Sequence, residues 1–175
     1  VRLALEYCVD RPGVRQVVLQ GLGDLGNDHP IPPISPVYAD LPIREQNHEK
    51  AKELLAEAGY PDGLDITLVT SPVRPGLVEY AVAFQEMAKP AGVNVEIERV
   101  PADQYWSEYW MKVPLCMSNW TLRATADETL TTAYHSEAKW NESDFRSPEL
   151  DRLIEDARGE KDQDKRAELY GEAQK

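Results

Sequence analysis

Residues 47–98 alternate between two hydrophobic periods, and that alternation constrains the fold more than any other feature of the chain. From His48 to Ala58, Ala51, Leu54, Leu55 and Ala58 stand at i, i+3, i+4 and i+7, a stripe along one face of an α-helix. Asn47 precedes it as an N-cap, and Gly59 stands where a left-handed residue ends a helix. Tyr60-Pro61-Asp62-Gly63 has turn chemistry and leads into the β-rich run Ile66–Ser71. A second helical pattern, about Pro75 to Lys89, carries Leu77, Ala81, Phe84 and Ala88 on one face, and Pro90 closes it. Val93, Val95 and Ile97 then alternate with Asn94, Glu96 and Glu98, the pattern of a half-buried strand. Helix, strand, helix, strand in this order predicts an α/β layer domain.

The flanking segments extend the pattern. "RLALEYCV" has mixed apolar spacing. Asp10 can then cap a helix over Arg11–Leu19, with Pro12 in its first turn, Val14, Val17 and Val18 on one face, and Gly21 at its end. Residues 21–46 hold Pro30, Pro32, Pro33, Pro36 and Pro42 with no sustained period, and read as a long ordered loop. "ADQYWSEYWMK" reads as a helix with Asp103 near its start, and "PLCMSNW" as a buried strand. Asp127 to His135 predicts a short helix. Ser147 and Pro148 open a further helix with the stripe Leu150, Leu153, Ile154 and Ala157, and Asp162 or Asp164 opens the last. The whole of 1–175 is read as one α/β domain.

Charge excludes one class of partner. The formal net charge is −12, from 31 acidic and 19 basic residues, whereas binding nucleic acid needs a basic face to neutralise phosphates. No stretch approaches the roughly 18 consecutive apolar residues of a membrane span, so direct membrane insertion is not expected. The chain opens and closes inside helical patterns and is read as a fragment of a longer protein, so the lack of a visible leader does not bear on compartment. Cys8 and Cys116 lie far apart, one in a helical pattern and one in an apolar run, and two free thiols are expected rather than a disulfide.

Motifs with chemical meaning are few. Gly21, Gly23 and Gly26 spell G-x-G-x-x-G, the spacing of a dinucleotide-binding turn. That turn needs a strand before it and a helix after it, so that amide donors face a pyrophosphate. Here a helix precedes and a proline-rich loop follows, so no nucleotide cofactor is expected. His29, His48 and His135 are too dispersed for metal-ligand spacing. No G-x-S-x-G is present, and Ser71 has no partner identifiable in sequence. Acidic pairs such as Glu155 and Asp156 fall on polar helix faces. Asn119-Trp120-Thr121 and Asn141-Glu142-Ser143 match short glycosylation sequons that arise readily by chance. No catalytic, cofactor or metal residue is assigned.

The aromatic residues are more informative. Tyr105, Trp106, Tyr109 and Trp110 fall on helical spacing and suit packing. Trp120 differs, because it ends the predicted strand, and the C-terminal ends of strands in α/β sheets are where ligands bind. Arg123, three residues on, can reach the same crevice. Its planar guanidinium suits a carboxylate, although an internal salt bridge is an equal reading. Tyr134, His135 and Trp140 are secondary candidates.

Several segments together resemble one family. "LALEYCVDRPGVRQVVLQGLG", then "PIPP", "EKAKELLAEAGYPDGLDITLVT", "MSNW" and "SPELDRLIEDARGEKDQDKRAELYGEAQ" are similar, in collinear order, to the extracytoplasmic solute-binding proteins of peptide, nickel and related ABC importers. The resemblance implies a two-lobed periplasmic-binding-protein fold of type II, with this chain as most of the C-terminal lobe, a small mixed sheet flanked by helices. It also implies a non-enzymatic function: a small solute, an oligopeptide or related compound, is held between lobes in the periplasm or at the outer face of the membrane and passed to permease subunits. Trp120, Thr121 and Arg123 are the residues it places at the ligand, with the loop near Ile31–Pro33 approaching the cleft or hinge. In peptide-binding members an acidic residue three positions after the tryptophan receives the peptide amino terminus. Arg123 stands there instead, and "LRATADETLTTAYHS" resembles a subgroup with R-x-T-x-D after the tryptophan. Two other classes remain open: a hydrolase or transferase using the same crevice, and a non-transport sensor or chaperone module.

Overall fold

The computed structural model describes all of residues 1–175, which divide into two compact units. Unit 1 comprises Val1–Leu25 and Arg44–Asn119, and unit 2 comprises Gly26–Ile43 and Trp120–Lys175. The chain thus passes between units three times. Where the sequence reading treats 1–175 as one domain, the α/β pattern lies wholly within unit 1, and unit 2 has only helices and loops.

Unit 1 is built on two parallel strands, β1 (Leu64–Thr70) and β2 (Val93–Arg99), in register from Leu64 opposite Val93 to Thr70 opposite Arg99. Three helices accompany them: α1 (Arg2–Tyr7), α2 (Arg11–Leu19) and α3 (His48–Glu57). The crossover between the strands is α4 (Leu77–Ala88), followed by a 3₁₀ turn over Lys89–Ala91. Capping follows the local chemistry: the Asp10 and Asn47 side chains accept from the backbone N–H groups of Gly13 and Lys50, satisfying donors that a helix start leaves orphaned. The core joins Leu55 of α3, Leu68 of β1, Phe84 of α4 and Val93 and Val95 of β2 around the buried Ala4 and Cys8. Each large side chain so buried stabilises the unit by about 2 kcal/mol. Cys8 and Cys116 are free thiols, and burial pushes the Cys8 thiol up to about 11.

Two expected elements of unit 1 come out differently. "PLCMSNW" makes no third strand. It touches β1 only through a parallel bridge, with Val69 N–H donating to Leu115 and Met117 N–H to Val69. The Met117 carbonyl, next along the ladder, is taken by the Tyr105 hydroxyl. The sheet is therefore a parallel pair rather than mixed. "ADQYWSEYWMK" contracts to a single π-helical turn, Tyr105–Tyr109, with Tyr105 fully buried. Trp106 packs edge-on against both Tyr105 and Trp110, at 5.1 and 5.6 Å between centroids.

Unit 2 packs α5 (Ala126–Ala133), α6 (Pro148–Gly159) and α7 (Gln163–Glu172) against the loop Gly26–Ile43. Ile31 of the loop, Ala126 and Leu130 of α5, Ile154 and Ala157 of α6 and Tyr170 of α7 form its core. The three helices start on the side-chain caps Thr125, Ser147 and Asp162. The loop carries no regular element, but its backbone is tied down. Asn27 donates to the Leu41 carbonyl at 2.9 Å, and the buried Gln174 accepts from Ala39 N–H and donates to the Val37 carbonyl.

Candidate functional site

The residues singled out after "MSNW" converge in unit 2, although not as the end of a strand. Trp120 begins an irregular stretch that leads to α5. Its indole lies 6.0 Å from that of Trp140, tilted by 56°. The Arg123 guanidinium lies 5.8 Å from the ring centres of both, within the range in which the negative face of an indole attracts a cation. The Trp120 indole N–H donates to Glu142 Oε1 at 2.8 Å.

Arg123 is oriented more by the two rings than by an ion pair. Glu128 Oε1 is 3.8 Å from its Nη1, beyond hydrogen-bond reach, and its Nε is buried with no hydrogen-bond partner. Glu128 is itself held in place: its backbone N–H bonds to the Thr125 side chain, and its carboxylate accepts from Ala124 N–H at 3.3 Å. That arrangement is a near relative of the capping box, legible in sequence as Thr125-x-x-Glu128.

Arg123 also borders a crevice of about 620 Å³. Ile31, Pro32 and Val37 of the proline-rich loop form one side, and Leu122 to Asp127 the other. The proline-rich loop thus faces Arg123 across one crevice. On the floor, Asp127 Oδ1 accepts from Arg158 Nε at 3.0 Å and from the Tyr170 hydroxyl at 3.3 Å. Burial first, and then the neighbouring Asp127 charge, raises the Tyr170 hydroxyl above its ordinary value. The crevice is a largely apolar slot bordered by the guanidinium groups of Arg123, Arg158 and Arg166, a lining suited to a solute with an apolar body and an anionic end.

Of the remaining candidates, Thr121 is exposed and lies outside both the aromatic cluster and the crevice lining. His135 is occupied within its own loop. Its Nδ1 accepts from Glu137 N–H at 3.1 Å, and its Nε2 is 3.4 Å from Glu155. Tyr134 is half-buried, and burial, then the Glu142 charge, raises its hydroxyl. His29 and His48 bond to the carbonyls of Ala39 and Met87, and no three potential metal-ligating side chains come together. In "GLGDLG", Gln20, Gly21 and Gly23 take left-handed backbone conformations after α2, and no helix follows before α3, so the loop has neither flank of a phosphate-binding turn. Glu142 is the participant that sequence reasoning missed. It is 22 residues from Trp120, and no motif links the two.

Comparison with known structures places the fold among periplasmic binding proteins. The chain superposes on the Helicobacter pylori ABC transporter-associated periplasmic binding protein DppA, solved with the peptide STSA, with a TM-score of 0.90 and 27% identity over 99% of this chain and 35% of that one. Residues 1–142 match the bacterial extracellular solute-binding proteins, family 5 middle region, and the chain belongs to that family. Among its relatives, heme-binding protein A of Haemophilus influenzae is 28% identical over 99% of this chain and 33% of its own length. Di/tripeptide-binding protein 1 of Pseudomonas aeruginosa is 30% identical over 99% and 34%. This chain spans about a third of the length of these relatives.

Proposed function

We propose that the full-length protein is the solute-capturing component of an ABC importer. It binds a small organic solute, an oligopeptide or related compound, in a cleft between two lobes outside the cytoplasmic membrane, and delivers it to permease subunits. It acts by binding and not by chemical transformation. Unit 1, with its parallel strand pair and three accompanying helices, forms the body of the C-terminal lobe. Trp120, Thr121 and Arg123 contact the solute, with Arg123 holding an anionic group where peptide binders of the family carry an acidic residue. Lobe closure replaces water in the cleft with contacts from both sides, and the solute stabilises the closed form by its differential affinity for it.

Membership of the solute-binding family across residues 1–142 carries this reading. The placement of Arg123 against two indoles at a crevice wall supports its anion-binding part. No helix of residues 1–175 is long and apolar enough to cross a membrane. Thermal-shift screening of the full-length protein against peptides, sugars, polyamines and metal complexes tests the reading, since a ligand of the native state raises the melting temperature. Peptides or peptide-like carboxylates are expected to raise it; no shift with any class would overturn solute capture. Arg123→Ala is expected to weaken calorimetric affinity for the hit by about tenfold or more, the loss typical of a hydrogen bond to a charged group. Unchanged affinity would remove Arg123 from the site.

A further inference from the structure

The loop between α5 and α6 is organised to hold two side chains against Trp120 and Arg123. Asn141, although polar, is buried. Its Nδ2 donates to the Phe145 carbonyl at 2.7 Å and its Oδ1 accepts from the Ser143 hydroxyl at 2.9 Å, closing the loop on itself. Burying an amide is tolerated only when its hydrogen bonds are made, so this geometry fixes the loop tightly. The residues on either side of Asn141 are thereby displayed. Trp140 stays 44% exposed beside Arg123, and Glu142 accepts the Trp120 indole N–H.

An indole left this exposed, paired with a second indole and with one cation facing both rings, is not the scattered surface hydrophobe that needs no explanation. The guanidinium is steered by ring faces while its ion pair stays long, so its planar fork is not consumed by Glu128. Resting on the reading of Trp120 and Arg123 as solute contacts, we propose that Trp140 is a further solute-contacting residue and Glu142 a positioning residue for the Trp120 ring. The two indoles and Arg123 then form one recognition unit, selective for solutes that carry a carboxylate next to a flat aromatic group.

Calorimetry on the full-length protein with three probes tests this: alanyl-phenylalanine, alanyl-alanine and alanyl-phenylalanine amide. The native protein is expected to prefer alanyl-phenylalanine over alanyl-alanine by about tenfold, the scale of one aromatic contact, and to lose at least as much with the amide. Trp140→Ala should abolish the preference for alanyl-phenylalanine over alanyl-alanine. Trp140→Phe, which keeps a flat ring, should retain most of the preference and controls for misfolding. Glu142→Ala should weaken binding and reduce the near-ultraviolet circular dichroism of the coupled indoles. Glu142→Gln, whose amide oxygen can still accept the indole N–H, should restore both. An aromatic preference that survives Trp140→Ala would remove Trp140 from the site. A Glu142→Ala protein with native affinity and native dichroism would remove the positioning role. Binding with no aromatic preference, or no binding of any probe, would overturn this inference and leave solute capture standing, which falls only if the wider thermal-shift screen is also empty.

Discussion

Gly63 shows how much can depend on one missing side chain. Its φ is 107°, and a Cβ there would come within 2.5 Å of the Gly92 carbonyl oxygen, the same oxygen that accepts from Leu64 N–H where β1 begins to pair with β2. Gly63→Ala must therefore strain a left-handed residue and push apart the start of the strand pair. We expect a loss of more than about 1 kcal/mol in urea unfolding; native stability would show that the strands yield at no cost. Tyr170 gives a second residue-scale prediction. Because its folded pKa is raised above the ordinary 10.0, the unfolded chain releases this proton first as pH rises. The stability it contributes is fully present below pH 10 and is lost as pH rises through the folded value. Denaturant midpoints should fall above pH 10, and fall less steeply in Tyr170→Phe; equal slopes would show that another group governs alkaline unfolding.

Among the elements, those specified by local chemistry are the ones that sequence reveals. Asp10, Asn47 and Ser147 were expected as caps, and each accepts a backbone N–H in its first turn. The last helix offered two possible starts, Asp162 and Asp164, and Asp162 takes the role by accepting from both Asp164 and Lys165 N–H groups. Asp162→Ala should therefore cost about 1 kcal/mol, with Asp162→Asn nearly neutral, measured by thermal unfolding. The reverse order would move the cap elsewhere. Where a segment's conformation depends on distant partners, local pattern fails. "PLCMSNW" has the composition of a strand, but only one position pairs with β1, because Tyr105, brought in by the π-helical turn, takes the next carbonyl. Trp120 and Arg123 were recognisable by type and by resemblance. Glu142 was not, because a hydrogen bond between residues 22 apart leaves no periodic trace.

At the scale of the molecule, two units interleaved along one chain are harder to read than two domains in sequence, since no composition shift marks residues 25–26, 43–44 or 119–120. What joins the separated segments of unit 2 is the core around Ile31 and a small number of specific bonds. Gln174 is the clearest, with hydrogen bonds to Ala39 N–H, the Val37 carbonyl and the Tyr170 carbonyl. Gln174→Ala leaves the partly buried Ala39 N–H and Val37 carbonyl without this partner, and a loss of about 1 kcal/mol or more is expected from that alone, with faster proteolysis inside Gly26–Ile43 as the accompanying readout. Unchanged cleavage there would show that the loop holds itself. The same bonds span 135 and 137 residues of sequence, and a ribosome makes the chain in one direction. Gly26–Ile43 is made first and must wait, without its partner, until Gln174, 135 residues beyond Ala39, has been translated. For that interval its Ile31 anchor and proline-rich flanks lack the helices that cover them, and are open to proteases and chaperones.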